Sequence, residues 1–458
     1  MTRMFRAGSG FTRRGVIARA AGGSLTGVVL GTALGACAQG GGGTAPAPAS
    51  GPVKLSYLRY YNQPDRLAGE QAIFKRLQEQ RPGLTIDELT VAGTTEMIQQ
   101  MTASYAAGTA PDTWTTAPTI YHEYVRAGNL LPLNDLIKKD IDPKKHFMET
   151  MPEWESPAAS GKYFGLTRDF VVSVLYYNKN LLDAARVPYP DASWTYDTLI
   201  GHAPKLVKNQ DSAESSEWAF VAGAGSDNFD AVSRANGGQI LNKQRTRAVL
   251  DSSAPTAATL EQWVAMNQQT RVSPAPAHPF WQTFQSLSVR SAFFTGRVAM
   301  FQALTGLVAQ LRTANNSLLQ WNVAPVPKGK TKRDAYGGPD GAVISKETKQ
   351  PDLCWRLMQA FFTTESLPFH LAWGGIPFSK EITALAGWKD QEPKGHAQVL
   401  LDAAGSFAAE FNMNYSKWQG VKNTAIADAL NGKLGVREAL RQATEESNKV
   451  LTESYPQA

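Results

Sequence analysis

Cysteine is nearly absent: the 458-residue chain holds two, Cys37 and Cys354. Cys354 lies in the apolar run Leu353-Cys354-Trp355-Arg356-Leu357-Met358, where a thiol packs as a small hydrophobe rather than serving as a nucleophile. Histidine is scarce as well. The six residues, at 122, 146, 202, 278, 370 and 396, never fall at metal-ligand spacing, which argues against a zinc site. There is no GxSxG elbow, HExxH helix, Walker loop or CxxC pair, so the commonest signatures of nucleophilic, metal and phosphoryl chemistry are missing. The glycines at 40–43 are flanked by neither a strand nor a helix pattern, so they are not a phosphate cradle. Acidic residues are plentiful, and a glycoside hydrolase needs only two well-placed carboxylates; no pair stands out.

Acidic residues are missing altogether before Asp65, whereas Arg3, Arg6, Arg13, Arg14 and Arg19 fall in the first twenty positions. An apolar, small-residue stretch from Ala20 to Ala36 follows. A positive region, an apolar region and a small-residue cleavage site make a signal peptide. At about 17 residues the stretch is marginal as a membrane span. Thr12-Arg13-Arg14-Gly15-Val16-Ile17 looks like a twin-arginine export signal, with the general secretory route as the alternative. Leu34-Gly35-Ala36-Cys37 resembles a lipobox, in which the cysteine thiol takes a diacylglycerol and becomes the first mature residue. The reading is a signal peptide over 1–36, a flexible tether over 37–52 and folding from Val53. The tether sequence QGGGGTAPAPASGP is too poor in apolar side chains to offset its ordering entropy. Such a chain is extracytoplasmic and held on a membrane through lipidated Cys37; Cys354 is then left without a disulfide partner.

The apparent basicity leaves with the signal. The whole chain has 46 Lys and Arg against 40 Asp and Glu; without the five N-terminal arginines the balance is 41 against 40. A basic footprint for nucleic acid is therefore absent. About 405 residues remain beyond the tether, too many for one core, which suggests two lobes.

Along that remainder, Val53–Leu58 alternates with period two and predicts a strand, as does Leu84–Leu89. Helical spacing over 66–80, stopped by Pro82-Gly83, and over 94–107 gives a β-α-β-α order and predicts an α/β domain with a mostly parallel sheet. The second half is richer in helix, with apolar three- and four-residue steps over 258–270, 284–295, 352–363, 397–411 and 419–451. Eleven Trp and fourteen Tyr are many. Several, including Tyr60, Tyr61, Trp114, Trp194, Trp281, Trp373 and Trp418, sit where loops or element ends are expected. Aromatic faces there suit the C–H faces of sugar rings; core packing is the competing use.

These residues resemble a known family, the family 1 extracellular solute-binding proteins of ABC sugar importers, of the maltose-binding type. The likeness begins with Ala106-Ala107-Gly108-Thr109-Ala110-Pro111-Asp112, continues through Gly128–Leu133 and Gly161–Leu166, and is most specific at Leu175-Tyr176-Tyr177-Asn178-Lys179 followed by Trp194-Thr195-Tyr196-Asp197. There Thr195 would cap a helix. Phe294–Met300, Ala324–Gly329, Gly337-Gly338, Gly375-Ile376-Pro377 and Glu438-Ala439-Leu440 follow in the family's order. Thr167 departs from the pattern, since many relatives carry proline there.

The resemblance implies a two-lobe α/β periplasmic-binding-protein-like fold of class II, with three hinge crossings near 165–170, 328–337 and 374–379. Lobe 1 would be 53–167 plus 337–375, and lobe 2 would be 168–330 plus 378–458. It implies a non-catalytic monomer without metal or cofactor that closes over a sugar or related polyol and delivers it to ABC permease subunits. The implied ligand contacts are Arg59, Tyr60, Tyr61 and Asn62 after the first strand, Thr115 and Thr116, and Asp169 at the first crossing. Asp227 and Asn228 follow in a lobe 2 loop, then Gly337, Gly338 and Asp340, then Trp373, then Trp418 with Lys422 one turn on. The glycines would let backbone approach ligand closely. A binder of a glycerophosphodiester or other polar solute, a lipid-anchored glycoside hydrolase and a non-transport lipoprotein such as a sensor partner or adhesin stand as alternatives.

Overall fold

The computed structural model describes residues 51–455 except Ala92, 158–159, 285–288, 315–318 and Ala409. The signal peptide, the lipobox with Cys37 and nearly all of the tether lie outside the described residues.

The chain opens with strand β1 (Val53–Arg59), helix α1 (Pro64–Gln80), strand β2 (Leu84–Thr90), helix α2 (Thr94–Ala106), strand β3 (Thr113–Thr116) and helix α3 (Pro118–Arg126). This is the predicted β-α-β-α order. Pro64 and Pro118 occupy first-turn positions of α1 and α3, where the missing N–H costs nothing. The Pro82-Gly83 stop after α1 is realised with Gly83 at φ 87°, a conformation that suits glycine.

Later strands are β4 (Gly165–Asn178), β5 (Met300–Leu304), β6 (Trp321–Ala324), β7 (Ala335–Ile344), β8 (Ile376–Pro377) and β9 (Phe407–Ala408). They form a nine-stranded sheet of order β2-β1-β3-β7-β4-β5, with β6 and β8 paired to β4 and β9 to β7. The expectation of a mostly parallel sheet fails. β1 pairs in parallel with β2 and β3, but β3–β7, β4–β5, β4–β6, β4–β7 and β4–β8 are all antiparallel. The physical reason is the length of β4. Fourteen residues run without a break, and later segments return along both its ends instead of crossing over by a helix.

Thr195 does cap its helix, its side chain accepting from the Thr198 N–H at 3.1 Å. The helical pattern over 419–451 is two helices, Tyr415–Leu430 and Val436–Ser454. Gly432 at φ 73° ends the first in the left-handed conformation common after a helix. The pattern over 397–411 shortens to His396–Ala404; within that over 284–295, Val289–Phe294 is helical and 285–288 lie outside the described residues.

Two apolar clusters result. One gathers Leu58, Trp114, Trp154, Val343 and Phe369 around β1, β3 and β7. The other gathers Leu199, Phe220, Trp263, Trp418, Ile426 and Leu440 among the later helices. Cys354 is a buried member of the first, and burial pushes its thiol up to about 12.

Candidate functional site

The site is built where three passes of the chain lie edge to edge. In the first half of β4, Asp169 is paired in register with Asp340 of β7 on one side and with Pro377 of β8 on the other. A register shift between Thr167 and Asp169 marks a bulge, a device that re-aims a side chain. It brings the two carboxylates into one neighbourhood, where like charges disfavour double ionisation.

Their surroundings divide the roles. Asp169 is fully buried; Arg168 Nε donates to its Oδ2 at 2.7 Å, and Arg66 Nη2 lies 3.8 Å from the same oxygen. Burial opposes the charge, but Arg168 and then Arg66 outweigh it and hold the Asp169 carboxyl below its ordinary range. Asp340 accepts from the Tyr60 hydroxyl at 2.5 Å. Burial first, and Asp169 second, push its carboxyl up.

Arg66 is held between rings, its guanidinium carbon 3.8 Å from the Tyr61 centroid and 4.1 Å from that of Trp373, a geometry that stabilises a desolvated cation. Several buried polar atoms here lack a hydrogen-bond partner: Arg66 Nε and Nη2, Arg168 Nη2, Asp169 Oδ1 and Trp373 Nε1. Orphaned groups of this kind cost free energy and call for an explanation. Beside them Tyr60, Trp373 and the alternating β7 positions Tyr336, Gly338 and Asp340 keep partial exposure. Donors, acceptors and ring faces thus converge on one surface, the equipment for holding a polar solute.

A second wall comes from the later helices. The Tyr336 and Tyr415 hydroxyls are 3.0 Å apart, and Tyr415 donates to Ser226 Oγ at 2.9 Å. Asn228 is buried with Oδ1 unpartnered. Asp227 falls in the same Ser226–Asp230 turn; its side chain lies outside the described ones. Trp418 and Lys422, implied to stack on and anchor a sugar, are both enclosed at 0% exposure. The Trp418 Nε1–H donates to Asn412 Oδ1 at 2.7 Å, and Lys422 is paired with Asp230. A lysine this deep is retained because it has that partner.

The remaining expected residues separate by burial. Arg59 pairs with Glu70 at 2.7 Å and with Glu88, tying β1 to α1 and β2. Tyr61 donates to Glu70. Asn62 is exposed beside them. Thr115 and Thr116 are buried on β3 opposite Ala342 and Gly341. At Gly337 and Gly338 the close approach is made by the protein itself. A Cβ on Gly337 would stand 2.2 Å from the Val171 carbonyl oxygen, and one on Gly338 would stand 2.8 Å from the Phe411 ring. Among the expected aromatics, Trp114, Trp194 and Trp418 are core residues, while Tyr60, Trp281 and Trp373 keep partly exposed rings.

Arg66, Tyr336 and Tyr415 were not expected. A signal for Arg66 did exist: with Glu70, Ile73 and Phe74 it lies on the buried face of α1, and charged residues on an apolar helical stripe are uncommon unless paired. Tyr336 and Tyr415 carry no such mark.

Beyond this surface, a groove of about 690 Å³ runs between α2 and α3 on one side and residues 414–417 on the other, floored by Ile98, Tyr105 and Tyr124. Among the described residues no cluster of three or more His, Cys, Asp or Glu is placed to hold a metal, and no helix is long and apolar enough to cross a membrane.

Comparison with known proteins fits this architecture. The family model for bacterial extracellular solute-binding proteins matches residues 62–367. A binding protein of Brucella abortus (strain 2308) is 24% identical over 318 residues, covering 68% of this chain and 72% of that protein. Among solved structures, an ABC substrate-binding protein from Listeria monocytogenes in complex with cycloalternan superposes with a TM-score of 0.73 at 20% identity, covering 87% of this chain and 99% of that one. The sugar-binding protein MalE from Xanthomonas citri gives a TM-score of 0.74 at 16% identity, covering 89% and 100%. These likenesses make the fold two-lobed α/β, of the periplasmic-binding-protein type. With its family model spanning most of the folded part, the chain belongs to the bacterial extracellular solute-binding proteins.

Proposed function

We propose that this protein is an extracytoplasmic receptor that captures a carbohydrate between its two lobes and delivers it to an ABC import permease, without catalysing a reaction. The observation that carries this reading is the convergence at the three-strand crossing. Tyr60, Asp340 and Trp373 present partly exposed polar and ring surfaces beside unpartnered atoms of Arg66, Asp169 and Trp373. Sugar hydroxyls suit such carboxylates and N–H groups, and sugar C–H faces suit the rings. The relatives in complex with cycloalternan and named as sugar-binding support the same class of ligand.

The lobes of this reading are 53–167 plus 337–375 and 168–330 plus 378–458, with β4, β7 and β8 as the crossings. Glycine, alanine and proline over 37–52 form the tether, and acylation of Cys37 keeps the receptor beside its permease at high effective concentration. Bound ligand stabilises the native state by mass action. A thermal-shift panel of mono-, di- and oligosaccharides, polyols and glycerophosphodiesters on the mature chain is expected to raise Tm for a narrow set of sugars. That set should lose its effect in Trp373→Ala. A panel in which no sugar shifts Tm, or in which a glycoside is turned over, overturns the reading.

A further inference from the structure

One set of polar contacts crosses from the early to the late part of the chain and meets the site described above only at the Asn412–Trp418 hydrogen bond. Glu153, in the 3-10 segment Met148–Trp154, is 5% exposed and faces Arg245, which is 26% exposed. Arg245 Nη1 donates to Glu153 Oε2 at 2.9 Å and Nη2 donates to Oε1 at 3.2 Å, the bidentate geometry in which arginine pairs are strongest. Arg245 sits at φ 57°, a left-handed conformation that a side chain of its size rarely adopts without an external constraint.

The constraint is the tight turn 242–247, in which the Arg245 N–H donates to the Asn242 carbonyl at 2.9 Å; the turn is braced from outside by Asn412. Its Nδ2 donates to the Arg245 carbonyl at 2.6 Å while its Oδ1 accepts from the Trp418 indole at 2.7 Å. Glu153, Arg245, Asn412 and Trp418 therefore form one continuous chain of hydrogen bonds. Two further contacts lie alongside: the Asn414 N–H donates to Glu123 Oε1 at 3.1 Å, and Arg126 Nη1 donates to the Ser454 carbonyl at 3.3 Å. All three links join the segment 118–154 to the segments at 245, 412–414 and 454.

We infer that the Arg245–Glu153 pair is a clasp between the lobes, and that Asn412 is a positioning residue setting both the clasp and the Trp418 ring. The inference rests on the lobe boundaries proposed above, which place Glu153 in lobe 1 and Arg245, Asn412 and Trp418 in lobe 2. A partly buried bidentate pair of this kind favours the arrangement in which both partners meet. Separating the lobes leaves Glu153 to find water alone and Arg245 without its carboxylate partner. A shift of the Trp418 helix reaches the clasp through one side chain, so the equilibrium between joined and separated lobes and the position of Trp418 are coupled.

The test is small-angle scattering of the mature chain without added ligand, with far-UV circular dichroism as the check on folding. Glu153→Gln and Asn412→Ala are each expected to raise the radius of gyration above wild type at unchanged circular dichroism. The exchange variant Glu153→Arg with Arg245→Glu is expected to return it to the wild-type value, a rescue that a purely packing role does not produce. Wild-type radii in both single variants overturn the clasp. Should a single variant lose its native dichroism, the exchange variant decides: a compact native chain supports the clasp, and any other result overturns it. No sugar enters the measurement, so a failed ligand panel and a failed clasp are separate results.

Discussion

Asp169 and Asp340 illustrate how two identical side chains, paired across neighbouring strands, take opposite roles. At Asp169 the nearby Arg168 and Arg66 outweigh burial, whereas at Asp340 burial and the Asp169 charge outweigh the same two cations and the Tyr60 hydroxyl. Replacing each by asparagine separates these roles. Asp169→Asn leaves Arg168 and Arg66 buried without their anion, and breaking a buried pair costs about 3–5 kcal/mol. Asp340→Asn keeps an acceptor for Tyr60 and removes the like charge. In calorimetry the first is expected to lower Tm markedly and the second to leave it unchanged or higher. Equal losses in both would contradict the assignment. The same contrast explains why the sequence marked both positions yet could not rank them, since rank depends on how closely the shared cations approach each carboxylate.

At the scale of elements, β4 and β7 are locked by glycines that admit a tryptophan. A Cβ on Gly165 would stand 2.2 Å from the Trp154 ring, and one on Gly341 would stand 2.1 Å from the Leu166 carbonyl and 2.7 Å from that ring. Trp154 itself donates to Thr167 Oγ1 at 2.9 Å. Overpacking of this kind costs about 1–3 kcal/mol. Urea denaturation of Gly165→Ala and Gly341→Ala should therefore show lower midpoints, whereas Gly201→Ala, in the helix Tyr196–His202 with open space around its Cβ position, should hold or raise the midpoint. Thr167 is the position at which the family resemblance implies proline. Here its hydroxyl is spent on Trp154 and on Thr150, 3.0 Å away, so the departure has a local use.

For the whole molecule, three histidines are buried in their neutral form. Burial lowers His122 to about 3, with Arg245 adding to it, and brings His370 and His396 to about 4. Unfolded, each takes its proton near 6.5. Between those values the unfolded chain binds more protons than the folded one, so stability falls as pH falls. His122 and His370 each contribute a slope of up to about 1.4 kcal/mol per pH unit below pH 6.5, and His396 adds to it. The Tm is expected to drop steadily from pH 6.5 to pH 4.5, and His122→Asn should flatten that slope. A Tm independent of pH over the range would show that these imidazoles are charged in the fold.

What the sequence determined by itself is whatever depends on neighbours along the chain. Capping by Thr195, the proline starts of α1 and α3 and the β-α-β-α opening are set by local backbone preferences and apolar period. The order of family motifs pointed correctly to the two-lobe fold. The tertiary structure decided what depends on partners far apart in the chain. Strand direction around β4 followed from how distant segments return along one long strand, which no local pattern encodes. The enclosure of Trp418 and Lys422, the sandwiching of Arg66 between Tyr61 and Trp373, and the meeting of Glu153 with Arg245 follow from packing across more than one element. A side chain's exposure and charge state are properties of that packing, and composition and spacing do not contain them.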